Sequence, residues 1–323
     1  MSDRPTTDLR AAVIGAGMMG RHHVRILGAM KGVELVAVVD ADLDRATSFA
    51  EAHGARAFAT VDEVPDVDIA VVAVPTEAHV PVAEMLMTRG VSLLIEKPLA
   101  GTHEEAERLV AAAEAAGVTL AVGHVERFNP VVRFLASMPL EPRFMQFERL
   151  SPFTPRITTS VVSDLMIHDL DLACFLAGED PVRVEAVGTA VFSEAADIAA
   201  ALLEFPSGCV ASISASRATQ DKVRRISVTE SERFILADCL RQDVSVKRET
   251  TVEFPSSEPN LYRQANVVEI PYLDRGGEPL ALELTDFVGA VRDRRPPQVT
   301  GADGLRAVEL AEAVERATGA PGA

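Results

Sequence analysis

At 323 residues the chain is too long for one small domain, and with 48% hydrophobic and 24% charged residues it can bury sizeable cores and is not a disordered chain. Its 31 basic against 48 acidic side chains leave a formal net charge of -17. That balance argues against a nucleic-acid or anionic-membrane partner, because such binding needs cationic surface to displace counterions.

The first 122 residues alternate short β-rich runs with helical stretches. Residues 10–14, 33–39, 68–74, 91–95 and 118–122 are predicted strands. Most are too continuously apolar for a sheet with one wet face and suit a parallel sheet covered on both sides. Between them, residues 18–30, 43–53, 77–89 and 103–116 carry helix formers at helical spacing, and Gly90 and Gly117 follow two of these as helix stops. This repetition predicts a doubly wound α/β domain over residues 1–122.

Past Gly123 the texture changes. A helix near residues 127–137 precedes a strand at 143–148, and a second helix near 163–177 ends in Gly178. Several alternating runs follow between Pro181 and Val268, among them 182–191, 198–205 and 209–215, with Pro206-Ser207-Gly208 as a hairpin turn, and helices near 280–292 and 304–318 close the chain. Helices grouped around a run of strands predict an α+β domain over residues 123–323 with a mostly antiparallel sheet.

The start, Met1 to Asp8, is polar and lacks the apolar core of a secretory signal, and no apolar run approaches the roughly 20 residues a membrane span needs. Cys174, Cys209 and Cys239 are odd in number and widely spaced, which suits neither a disulfide framework nor a zinc knuckle. Buried reduced thiols in a cytoplasmic, soluble protein are the expectation.

Gly15-Ala16-Gly17-Met18-Met19-Gly20 follows the first predicted strand and opens the first predicted helix. The first glycine permits the tight turn, the second lets backbone approach a pyrophosphate, and the third lets helix and strand pack closely. The next strand ends in Asp40, where a carboxylate can accept bonds from a ribose diol. A carboxylate repels a 2′-phosphate, and Ala41 and Asp42 follow rather than Arg or Ser, so NAD is expected over NADP. The other reading of Asp40 is a cap for the next helix.

Glu96-Lys97-Pro98 follows the fifth strand, at the carboxyl edge where ligands sit in open α/β sheets. The chain has 27 arginines but four lysines, so Lys97 is not an interchangeable surface charge. An ammonium can stabilise an alkoxide and can lower its pKa when buried; an exposed loop lysine is the alternative. Asp164 and His168 stand at i and i+4, on one face of a helix, with Asp171 near the same stripe. Such an imidazole can exchange protons near neutral pH, though a capping Asp164 or a core His168 would look the same. Zinc at His168 is a weaker reading, for no second histidine lies four residues away. Arg127, Asn129, Arg149 and Arg156 form a candidate group for holding a diphosphate by bidentate bonds, with Arg217 further on; for any one arginine a surface ion pair is the plainer reading. His22, His23, His53, His79 and His103 read singly as structural or solvated.

Together, Gly15 to Gly20, Glu96-Lys97-Pro98 and Asp164-x-x-x-His168, in this order and on these elements, resemble the glucose–fructose oxidoreductase / inositol dehydrogenase / rhizopine catabolism (GFO/IDH/MocA) family over nearly the whole chain. The resemblance implies a Rossmann domain followed by an α+β domain whose large open sheet mediates assembly as a homodimer or homotetramer. It implies hydride transfer between a sugar hydroxyl and NAD, with Lys97, Asp164 and His168 as the catalytic group. Glu96 and a cis-configured Pro98 would shape the nicotinamide side, and the cofactor would meet Gly15 to Gly20, Asp40, Val74, Pro75, Thr76 and His79. Gly123 to Pro130, Arg149 to Arg156 and Ser163 to Asp171 resemble the family's nucleotide-sugar branch, which implies oxidation of a UDP-N-acetylhexosamine at C3; inositol and other sugar dehydrogenases share the core motifs. Two further classes stay open: a regulator that binds NAD without turnover, which would not need all three chemical residues, and an NAD-dependent glycosidase.

Overall fold

The computed structural model describes residues 8–155, 157, 159–252 and 263–319, in two compact units. The first unit runs to Val125 and also takes in Gly277–Glu309. Its strands are β1 (Leu9–Ile14), β2 (Val33–Val39), β3 (Arg56–Phe58), β4 (Ile69–Val72), β5 (Ser92–Glu96) and β6 (Leu120–Gly123), in the order β3-β2-β1-β4-β5-β6. All neighbours are parallel. Helices α1 (Gly20–Leu27), α2 (Leu43–Ala50), α3 (His79–Thr88) and α4 (His103–Ala116) alternate with the strands. Every residue of β4 and β5 is buried, the reason these segments read as unbroken apolar runs. The strand order reverses between β1 and β4, where a doubly wound sheet opens a crevice at its carboxyl edge.

The predicted α/β architecture is therefore present, with two differences. Strand β3 was not foreseen, since three residues are too few to display a period; it forms by pairing with Ala37 to Val39. Helix α7 (Pro279–Asp293) belongs to the first unit, not to the domain expected over 123–323. Its Leu280, Leu284, Phe287 and Val288 share a core with Val13, Ile69 and Leu94. An apolar helical stripe does not announce which core it will join.

The second unit contains α5 (Pro130–Ser137) and α6 (Ile167–Ala177) with a single eight-stranded sheet. The strands are β7 (Phe144–Leu150), β8 (Arg183–Thr189), β9 (Ile198–Glu204), β10 (Val210–Ser216), β11 (Val223–Thr229), β12 (Arg233–Asp238), β13 (Asp243–Val252) and β14 (Arg263–Glu269). Their order is β14-β13-β12-β11-β7-β10-β9-β8, antiparallel throughout except for the parallel β7–β10 pair. The predicted turn at Pro206 to Gly208 joins β9 to β10, with Gly208 at φ +83 and its N–H donating to the Phe205 carbonyl at 2.9 Å. Strict alternation gives the sheet two unlike faces: Phe147, Ile213, Val228 and Ile235 are buried, whereas Leu202, Leu236 and Val187 on the opposite face are exposed. Helix α8 (Gly301–Thr318) closes the described chain. No helix among the described residues is long and apolar enough to cross a membrane.

Candidate functional site

In the first unit the glycine turn is built as its spacing demands. Gly15 has φ +95, and a side chain there would run into the Ala73 carbonyl; one on Gly20 would run into the Gly15 carbonyl. Gly17 differs: a Cβ would meet nothing within 4 Å. Its missing side chain therefore leaves open space beside the start of α1, where backbone donors favour an anion. A cavity of about 400 Å³ opens here, lined among others by Gly15, Gly17, Asp40, Val74 and Pro75. Of the expected cofactor residues these five come together on it, with Ala16 buried just behind. Met18 is exposed, Met19 immediately precedes α1, and Thr76 opens a short turn; Glu96 ends β5 and Pro98 follows two residues later.

Asp40 does not cap α2; Asp42 does, accepting from the Arg45 N–H at 3.1 Å. Asp40 instead accepts from the Ala16 N–H at 2.8 Å and the Asp42 N–H at 2.9 Å. Arg45 closes a fork on it, Nε to Oδ2 at 3.1 Å and Nη2 to Oδ1 at 2.6 Å. Burial alone would raise the Asp40 pKa, but the Arg45 bond and the two N–H donors outweigh it and hold the carboxyl below its usual range. An ionised acceptor at the rim of the cavity fits a ribose diol. Arg45 lines the same cavity and escaped the sequence reading because it enters from the first turn of α2.

At the end of β5, the Lys97–Pro98 peptide is cis and Lys97 is half-buried, neither a core residue nor a free surface lysine. Glu96 is buried and accepts from His23 Nε2 at 2.7 Å. Its burial favours the neutral acid, yet His23 and the Lys97 charge pull it below its ordinary value. His79 braces this edge: its ring nitrogens lie 3.0 Å from the Val74 carbonyl and 3.1 Å from that of Pro98. Burial pushes its pKa down, and the facing carbonyls act in the opposite direction. His79, expected among the residues that meet the cofactor, ties together the segments that carry Pro75 and Pro98.

In the second unit His168 sits, half-buried, on the first turn of α6. Asp164 lies in a π-helical turn, Val162–Met166, that leads into α6, so the two are not stacked on one regular α-helix as their spacing suggested. Neither the π turn nor α6 is capped by an Asp164 side chain. Wide turns of this kind recur at functional sites.

The next residues along α6 explain the arginines. Arg149 forks onto Asp169, Nε to Oδ2 and Nη2 to Oδ1 both at 2.7 Å, and reaches Glu126 at 2.9 Å. Arg127 forks onto Asp171, with Nε to Oδ2 at 2.8 Å, and lies over the Phe175 ring. Asn129 caps α5 through its side-chain oxygen and donates to the Cys239 carbonyl at 3.2 Å. Arg127 and Arg149 are each 4% exposed. Burial opposes the Arg149 charge, but Asp169 and Glu126 raise its pKa further than burial lowers it. The expected diphosphate role of Arg127, Asn129 and Arg149 is corrected accordingly: their polar groups turn inward, because a buried guanidinium persists only where carboxylates neutralise it. Arg156 lies outside the described residues. Arg217 is likewise internal, paired with Asp197 at 2.6 Å. No cluster suited to a metal ion occurs among the described residues.

Residues 9–124 match the family described as an oxidoreductase family with an NAD-binding Rossmann fold, and residues 138–234 match the GFO/IDH/MocA C-terminal domain. The chain is 35% identical over 306 residues to UDP-N-acetylglucosamine 3-dehydrogenase of Acidithiobacillus ferrooxidans, covering 94% of this chain and 95% of that one. A solved structure of that enzyme superposes with a TM-score of 0.88, covering 96% of this chain and 97% of the other. Inositol 2-dehydrogenase of Rhizobium meliloti is 29% identical, covering 95% of this chain and 96% of that one. GenD2 from gentamicin A biosynthesis, solved in complex with NAD, is 28% identical with a TM-score of 0.81, covering 99% of this chain and 96% of the other.

Proposed function

The chain belongs to the GFO/IDH/MocA family of NAD-binding oxidoreductases, and from that premise we propose that it oxidises the C3 hydroxyl of UDP-N-acetylglucosamine or a close UDP-N-acetylhexosamine, with NAD as acceptor. The observation that carries the redox reading is the cradle: an open Gly17 beside the α1 start, with an ionised Asp40 at its rim. The substrate is supported by the identity to the Acidithiobacillus ferrooxidans enzyme, which is higher than that to the inositol 2-dehydrogenase of Rhizobium meliloti.

Bound NAD supplies the hydride acceptor; the protein positions the reactants and handles the proton. In this reading His168 takes the hydroxyl proton and Asp164 orients the imidazole. Lys97 stabilises the developing alkoxide charge or relays the proton. Arg156 keeps its proposed place at the diphosphate. The chain works as a homodimer or homotetramer, a proposal supported by the exposed apolar positions on the open sheet face. A cytoplasmic setting is supported by three buried thiols without a disulfide.

The test is a panel of UDP-sugars, inositols and free hexoses, each with NAD and NADP, followed anaerobically by the absorbance of reduced nicotinamide. Preference for UDP-N-acetylglucosamine with NAD is expected, and activity on inositol alone would overturn the substrate. His168→Ala should lose turnover by about 10²–10⁴-fold while still binding NAD. Near-normal turnover in that variant removes His168 from the mechanism.

A further inference from the structure

Glu283, on α7 in the first unit, takes no part in the chemistry proposed above. It is 3% exposed, and both of its carboxylate oxygens are buried without a hydrogen-bond partner among the described residues. The groups whose charges bear on it are Glu96, at the end of β5, and Asp286, one turn further along α7. Glu96 brings with it His23 from α1, donating at 2.7 Å, and Lys97. These carboxyls differ in what they are given. Asp286 receives the Gln298 N–H at 2.6 Å and an Arg295 guanidinium at 2.8 Å, and Glu96 receives His23. Glu283 receives nothing. An ionised carboxylate buried without a donor is costly, and the negative charge of Glu96 adds to that cost. If one carboxyl of this cluster is neutral, it is Glu283. Burial together with the Glu96 charge moves its pKa well above the ordinary glutamate value.

We propose that Glu283 holds a proton in the resting protein and yields it when the cationic nicotinamide of NAD docks beside Glu96 and Lys97, making this buried carboxyl pair a proton site tied to the charge of the cofactor. The inference rests on the proposed seating of the nicotinamide at the Glu96–Pro98 edge. On docking, the Glu283 O–H bond breaks and the proton passes to water. The pair then carries two negative charges opposite one positive charge. When hydride arrives and that positive charge disappears, the pair takes a proton back. NAD and NADH should therefore bind with different proton counts.

Two measurements on the full chain test this. Infrared spectra at neutral pH should contain a protonated carboxylic-acid carbonyl band that shifts on ¹³C-glutamate labelling and is missing from Glu283→Gln, a near-isosteric change. Absence of a shifting band in the labelled wild type overturns the proposal even if the variant fails to fold. Calorimetric titration in buffers of different ionisation heat should register a fraction of a proton released with NAD, none with NADH, and less with NAD in Glu283→Gln. Equal release in wild type and variant overturns the link to the cofactor. No binding heat with either dinucleotide would instead indict the cofactor site, a separable failure.

Discussion

Gly17 and Gly20 are both glycines of one turn, yet the structure gives them different work, and substitution should separate them. A methyl at Gly20 would strike the Gly15 carbonyl, whereas one at Gly17 has open space around it. Gly20→Ala should lower stability by about 1–3 kcal/mol, as overpacking does. Gly17→Ala should melt like the wild type but bind NAD roughly tenfold more weakly, about 1.4 kcal/mol, because the methyl occupies the place of the pyrophosphate. Thermal melts paired with NAD titrations check this, and matched affinities would remove Gly17 from the cofactor path. Asp197 offers a residue-scale test of buried charge. Fully buried, it accepts from the N–H groups of Val191, Phe192 and Ser193 and from Arg217. Burial alone would raise its pKa, but these donors hold it well below the carboxylate range. A depressed carboxyl stabilises the fold above its unfolded value near pH ~4, and that contribution disappears as pH falls through the lower folded value. Asp197→Asn should therefore cost about 3–5 kcal/mol at neutral pH, leaving Arg217 buried against a neutral amide, with the gap to wild type narrowing below pH ~4. Urea unfolding across pH measures it; a gap that widens in acid would contradict this account.

At the scale of elements, α6 is the case where packing decides what a helix can present. One fork holds Asp169 and another holds Asp171, so both carboxylates next to His168 are fastened to β7 and to the segment ahead of α5. Arg149→Met should destabilise the second unit by about 3–5 kcal/mol, since Glu126 and Asp169 would stay buried without the guanidinium that hydrogen-bonds them. Arg149→Lys should recover part of the loss but not the fork geometry. Calorimetric unfolding with and without NAD checks the prediction, with NAD affinity of the first unit expected to hold in both variants. The sequence pattern predicted both helices of this unit and much of its strand alternation, because a period of two or of 3.6 is written in neighbouring residues. It did not predict the π turn at Val162–Met166, which no residue type marks, nor the partners of Arg127 and Arg149, which lie 44 and 20 residues away. Arginines gathered near a presumed cleft look alike whether they face a substrate or a buried aspartate.

For the molecule as a whole, the unlike faces of the eight-stranded sheet lead to a test of assembly. Val187 is 71% and Leu202 45% exposed, on neighbouring strands of the open face. Leu202→Arg should shift the protein toward monomer in sedimentation analysis without lowering the melting temperature of the isolated chain, and an unchanged mass distribution would place the contact elsewhere. The alternation of strands and helices, the glycine turn and the NAD-binding Rossmann character were all determined by the sequence itself, because each depends on residues close together in the chain or on a conformation only glycine adopts. Tertiary structure alone decided that α7 returns to the first core, that Arg45 leans on Asp40, that two expected substrate arginines are internal, and that Glu283 is sealed beside Glu96. Those outcomes depend on which charges end up out of water and near one another, and desolvation acts on the folded surface, not on the order of residues.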